Sequence, residues 1–318
     1  LEKGENIMMK AIFALGACLM LPIGSVHAAA NWELVWSDEF DKPGLPDSTK
    51  WQIQVGPSTV NGELEYYSNR QENLKVADGY LYIIGRKENF GGRQYTSGRI
   101  NTENKAWWTY GRFEIKAKLP TGKGSWPAFW TLGHECDKHE GWPNCGEIDI
   151  AEYAGKNPNV VNTTMHMKDV NYMLKNNPHG SRTLTDVGNV FHTYALEWFK
   201  DRLDIYMDSV KVLTYKNDGK GFGTWPYFNP QYIIINEALG GGYAGPIDNA
   251  IFPTQWVIDY VRVYKEGAPV ALFRALGKGP RARGLLALDD RALYAVNGKL
   301  MRAKPSVPLL TAGFGRGK

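Results

Sequence analysis

A chain of 318 residues with 43% hydrophobic and 22% charged residues is long enough for one large or two ordinary packed domains, which excludes disorder as its main state. Its 11 Trp, 17 Tyr and 35 Gly suit twisted β-structure joined by tight turns, not a coiled coil or helical repeat. The net charge of +4 belongs to the end of the chain, where residues 268–318 set ten Lys/Arg against Asp289 and Asp290; the body is mildly acidic, so no nucleic-acid partner is expected.

Residues 1–28 are expected to be an upstream extension and a secretory signal peptide. Lys10 supplies the basic n-region, Ala11 to Ile23 the apolar run, and Val26-His27-Ala28 the small-x-small cleavage site. Leu15-Gly16-Ala17-Cys18 also resembles a lipoprotein box, although the apolar stretch continues past Cys18. The run is too short to span a bilayer and no later segment reaches the required length, so no membrane span is expected. The localisation that follows is secreted, extracellular or periplasmic. Residues 268–318 lack Trp and any sustained periodicity, and are expected to be a disordered or artefactual tail.

Between these ends, 29–267 is expected to form one catalytic unit. Tyr80 to Ile84 is the first strong strand candidate. Phe113, Ile115, Ala117 and Leu119 then alternate with Arg112, Glu114, Lys116 and Lys118, the period of a half-buried strand. Tyr194 to Trp198 follows, and Leu203, Ile205 and Met207 alternate with polar partners into a hairpin at Asp208-Ser209 that returns through Val210 to Leu213. Tyr232 to Asn236 and Trp256 to Tyr264 complete the set. No stretch of 31–267 keeps a helical period for three turns, so one all-β, antiparallel sandwich is expected.

The segment Cys145-Gly146-Glu147-Ile148-Asp149-Ile150-Ala151-Glu152-Tyr153 places three acids inside an apolar strand, where unpaired carboxylates are costly. Glu147 and Asp149 share a face by alternation; Glu152 has the opposite parity. A β-bulge at Ile150-Ala151 returns Glu152 to the same face. The outer α-carbons then lie roughly 13 Å apart, and side chains leaning together leave the carboxyls about 5–6 Å apart, the separation of a retaining glycosidase pair. Solvent-facing acids on an edge strand are the competing reading. The surrounding Trp126, Trp130, Trp142 and His166 favour a sugar site, because aromatic faces stack on pyranose rings.

Glu147-Ile148-Asp149-Ile150-Ala151-Glu152 resembles the E-x-D-x-x-E signature of glycoside hydrolase family 16 in its bulged, laminarinase-like form. Trp36-Ser37-Asp38-Glu39-Phe40, Asn61-Gly62-Glu63-Leu64, Tyr95 to Ile100, Tyr110 to Glu114, Trp126 to Trp130, Phe191 to Tyr194 and Ile258 to Tyr264 follow in the family's order. The resemblance implies a β-jelly-roll with a concave glycan cleft. It implies Glu147 as nucleophile, Glu152 as general acid/base and Asp149 as auxiliary acid. It places Asn61, Glu63, Arg99, Trp126, Trp130 and Trp142 along the cleft and His166 near the reaction centre. No cofactor is expected for catalysis; a structural Ca²⁺ on the convex face, held by Glu39, the Gly79 carbonyl and Asp259, is implied beside the alternative of a metal-free acid pair. Glu237 departs from the family, where an apolar residue is more usual, and puts the local shape of the cleft in question.

Cys136 and Cys145 with His134 and His139 make H-x-C-x2-H-x5-C, open to a zinc reading; export favours a disulfide between the two cysteines. The leading function is an endo-acting β-1,3-glucan hydrolase working as a monomer on a polysaccharide. Activity on mixed-linkage glucan, agar or carrageenan, or transfer instead of hydrolysis, is the alternative. A non-catalytic glucan-recognition protein is disfavoured, since a binder gains nothing from three adjacent desolvated acids.

Overall fold

The structure, a computed structural model, describes residues 31–268 together with the backbone of two short paired strands, Tyr294–Val296 and Lys299–Met301. The expected signal peptide and most of the basic tail lie outside the described residues.

Two sheets face each other. The first has seven strands in the order His179–Thr183, Val160–His166, Glu147–Tyr153, Ser125–Gly133, Gln231–Leu239, Arg99–Asn101 and Gln52–Ile53. The second runs Val210–Lys216, Arg202–Met207, His192–Trp198, Gly111–Lys118, Thr254–Glu266 and Tyr80–Phe90, and continues through Arg93–Ser97 and Glu65–Tyr67 to Gly56–Pro57. Strand Trp32–Asp38 adds to Thr254–Glu266, and Leu74–Ala77 to Tyr80–Phe90. Among the described strands only Glu65–Tyr67 and Arg93–Ser97 pair in parallel; the other pairs are antiparallel.

The alternation that predicted strands is the alternation that builds the core. Phe113, Ile115 and Ala117 point inward beside Leu196, Trp198, Ile205 and Val263, and meet Phe129, Ile148, Ile150, Tyr153, Ile233 and Ile235 from the first sheet. Burying this apolar area is the main force holding the sheets together. Asp208 and Ser209 both adopt positive φ, 49° and 64°, the backbone of a two-residue hairpin, so the turn falls where the sequence placed it. Trp32–Asp38, Val160–His166 and His179–Thr183 are strands the alternation did not single out. Glu114, on the opposite face of Gly111–Lys118 from Phe113, is nonetheless buried, held by Arg112 and by the Tyr260 hydroxyl at 2.7 Å. Among the described residues no helix is long and apolar enough to cross a membrane.

Candidate active site

The three acids lie on one strand, Glu147–Tyr153, third in the seven-stranded sheet. Along Ser125–Gly133, Leu132 faces Glu147 and Trp130 faces Asp149, but Phe129 faces Ala151 and Ala128 faces Glu152. One residue of the catalytic strand, Ile150, is therefore unmatched. Its side chain turns into the core with Ile148. On the other side the register slips between Asp149, opposite Thr164, and Glu152, opposite Asn162. The Thr163 hydroxyl fills the irregularity by donating to the Asp149 carbonyl at 2.6 Å. This bulge brings Glu147, Asp149 and Glu152 onto one face.

Each acid has a defined partner. The Trp142 indole N–H donates to Glu147 at 2.9 Å and the Trp126 indole N–H donates to Glu152 at 3.0 Å. His166, directly opposite Glu147, brings Nε2 to 3.3 Å from Asp149 and 3.8 Å from Glu147. Burial pushes all three carboxyls above their ordinary range, and like charge adds to it: Asp149 and Glu152 raise Glu147, and Glu152 raises Asp149. The Trp126 N–H and His166 act in the opposite direction on Glu152. Three buried carboxyls in a row cannot all be charged cheaply, so the row favours keeping a proton on one member, which acid-assisted displacement needs. Glu147, Asp149 and His166 each bring a ligand atom within 4.8 Å of the others, enough to hold a cation, which would compete with the proton chemistry of the same groups.

The other residues expected along the cleft are tied to one another and to this sheet by short contacts. The Trp130 indole donates to Asn236 at 2.8 Å, and Asn236 donates to the Tyr67 hydroxyl at 3.2 Å. The Arg99 guanidinium lies 5.1 Å from the Trp130 ring centre and 5.9 Å from that of Tyr67. Glu63 is buried and accepts from Ser58, Asn61 and Tyr67, so it braces the wall more than it presents a free carboxylate. Asn61 is tied on both sides, its side chain to Glu63 and its carbonyl to the Gly242 N–H. Two residues were missed by sequence reasoning. Tyr243 packs on Trp126, ring centres 5.0 Å apart, and accepts from Asn162. Tyr172 stands 53% exposed, 5.8 Å from Trp142 and edge-on to His166. Both sit in single-turn helices between strands, Tyr172–Leu174 and Gly241–Ala244, too short for periodicity to mark them.

Cys136 and Cys145 form a disulfide, which removes both thiolates from the zinc reading; His134 stacks instead on Trp107 and His139 lies beside Phe222. Glu237 is not a cleft residue. It shares the inward parity of Ile233 and Ile235, is fully buried, and accepts from Ser125 at 3.0 Å and Thr254 at 3.4 Å. The residues expected for Ca²⁺ do not fit that ion as placed. Arg262 donates to both oxygens of Glu39, at 2.9 and 2.7 Å, and holds its carboxyl below the usual range, while Lys116 donates to Asp259 at 2.6 Å. A Ca²⁺ ion, which gathers about six to eight oxygens, would have to take them from these cations.

Residues 58–262, bulge and both cleft walls included, match the model of the family described as Glycosyl hydrolases family 16. The chain belongs to this family. It is 42% identical over 278 residues to a beta-glucanase of Rhodothermus marinus, a match covering 83% of this chain and 97% of that protein. The structure of the laminarinase from Rhodothermus marinus superposes with a TM-score of 0.73 at 43% identity, over 76% of this chain and all of that one. SCLam, described as a non-specific endo-beta-1,3(4)-glucanase from family 16, gives a TM-score of 0.71 at 40% identity, over 76% and 94% of the two chains. Family membership makes the chain a glycosidase of all-β, jelly-roll architecture that needs no cofactor for catalysis.

Proposed function

We propose that this protein is an exported, endo-acting β-1,3-glucan hydrolase that works as a monomer with retention of anomeric configuration. The observation that carries the reading is the bulge at Ile150, which returns Glu152 to the face of Glu147, as a nucleophile and proton-donor pair requires. The similarity to laminarinases supports the substrate. The disulfide supports export, since such bonds persist in oxidising compartments. Pairing of Trp32–Asp38 with the end of Thr254–Glu266 closes the body on itself and supports 29–267 as the active unit.

In the first step the Glu147 carboxylate attacks the anomeric carbon while Glu152 passes its proton to the departing glycosidic oxygen, so one C–O bond forms as the other breaks. Asp149, held by His166, sits between them and tunes their charge. In the second step Glu152, now a carboxylate, takes a proton from water, whose oxygen displaces Glu147 and restores both groups. The similarity to SCLam, an endo-beta-1,3(4)-glucanase, supports the endo mode. The similarity to SCLam favours one second reading, that β-1,3-1,4 glucan is also cut. A reducing-sugar assay on laminarin, lichenan, agarose and carrageenan tests the proposal. Laminarin should be the best substrate, and activity confined to agarose or carrageenan would overturn it.

A further inference from the structure

Trp107 lies outside every group assigned above. Its neighbour Trp108 exchanges both backbone hydrogen bonds with Gln231, at 3.0 and 2.8 Å, and packs inward against Trp36 and Phe113. Adjacent residues of an extended chain point to opposite faces, so Trp107 is delivered to the cleft side, opposite Tyr232. There its indole lies on the His134 imidazole, ring centres 4.1 Å apart and planes within 8°. His134 continues the cleft-facing parity of Trp126 and Trp130, one residue beyond the Ser125–Gly133 strand, with its N–H anchored to the Pro230 carbonyl at 2.8 Å. One face of the indole is thus covered, yet the residue is 45% exposed.

The position relative to the acids follows from register. Glu147 faces Leu132, Leu132 faces Tyr232, and Tyr232 lies beside Trp107. Trp107 is therefore about three interstrand spacings from Glu147, roughly 14 Å across the sheet. That is beyond the sugars flanking the scissile bond but in line with a polymer crossing the strands. A flat aromatic face held rigid by a stacked neighbour loses little entropy on binding, and it matches the C–H face of a pyranose ring.

We propose that Trp107, backed by His134, is an outer subsite that stacks on a distal glucosyl unit of the bound β-glucan. It rests on the substrate class proposed above, and its effect is to favour long chains over short ones. The alternative, that Trp107 merely braces the segment entering the disulfide loop, predicts equal losses for all ligands.

The test measures binding by calorimetry in a Glu147→Gln background, with β-1,3-linked gluco-trisaccharide and hexasaccharide as ligands. Trp107→Ala should shrink the affinity advantage of the hexasaccharide by about tenfold, and Trp107→Phe should keep most of it. Trisaccharide affinity reports on folding of the same sample. An unchanged ratio, or equal weakening of both ligands, would overturn the subsite. Wild-type protein inert on laminarin would overturn the substrate reading and the subsite with it, whereas an active wild type with an unchanged ratio overturns the subsite alone.

Discussion

Replacing Cys136 by Ser and Cys145 by Ala opens a loop of sequence separation 9 immediately before the catalytic strand. The chain-entropy relation for a loop of this length gives about 2.6 kcal/mol of lost stability. Ala at 145 leaves no unpaired hydroxyl where Cys145 is fully buried. A domain of this size loses roughly 2–4 °C of Tm per kcal/mol, so calorimetry should show a fall of about 5–10 °C. The loop also carries Trp142, 39% exposed and joined to the structure near its tip by the N–H donated to Glu147. Freeing the loop should therefore lower kcat/KM on laminarin by about tenfold at a temperature where both proteins are folded, the lower end of what one hydrogen bond to a charged group is worth. The reasoning fails if the variant melts within 2 °C of wild type with the same kinetic constants. A large drop in Tm with unchanged kinetics would leave the disulfide a stabiliser and remove Trp142 from the site.

Glu147→Ala and Glu152→Ala should each abolish turnover without unfolding the protein, while Asp149→Asn leaves a weak remnant. With an activated β-glucoside and azide, Glu147→Ala should yield the α-azide and Glu152→Ala the β-azide; NMR showing the products exchanged would reverse the two roles. Glu237, whose carboxyl burial and the nearby Glu65 push up, is protonated in the folded state at a pH where the unfolded chain has lost that proton. Glu65 behaves alike, raised to about 8 by burial and by Glu63. Their contribution to stability is complete below about pH 4.5 and is lost as pH rises through the folded-state values. Urea unfolding between pH 5 and 9 should accordingly show a shallower decline for Glu237→Gln than for wild type, and parallel curves would refute the linkage. Residues 29–267 expressed alone should match the full chain in solubility and activity, and an insoluble or clearly weaker product would show that 268–318 packs on the body.

Legibility of this protein in its sequence followed the physics that writes patterns. Strands half-buried against a single core alternate, so Phe113 to Leu119 and Leu203 to Met207 could be read directly. The bulge could be read because Glu152 has the wrong parity and a carboxylate in the core is too costly to accept. Glu237 shows the limit of that argument. It lies in a nine-residue strand buried on both faces, where alternation carries no information about direction, and two hydroxyls plus a retained proton make a core carboxyl tolerable. Glu114 keeps the outward parity the alternation gives it and is covered there by Arg112 and Tyr260. Tyr172 and Tyr243 reach the cleft from turns, and contacts made by turns depend on tertiary folding, not local period. Glu63 was expected along the cleft, and its role as a brace is visible only with Ser58, Asn61 and Tyr67 around it.

One unmatched residue, Ile150, sets Glu147 and Glu152 on a single face. At a carboxyl separation of about 5–6 Å no water fits between nucleophile and anomeric carbon, so two successive inversions must occur. Proton NMR of the first products from laminarin should show the β-anomer accumulating before α appears by mutarotation. An α-anomer formed first would contradict the bulge geometry and the nucleophile role of Glu147 together.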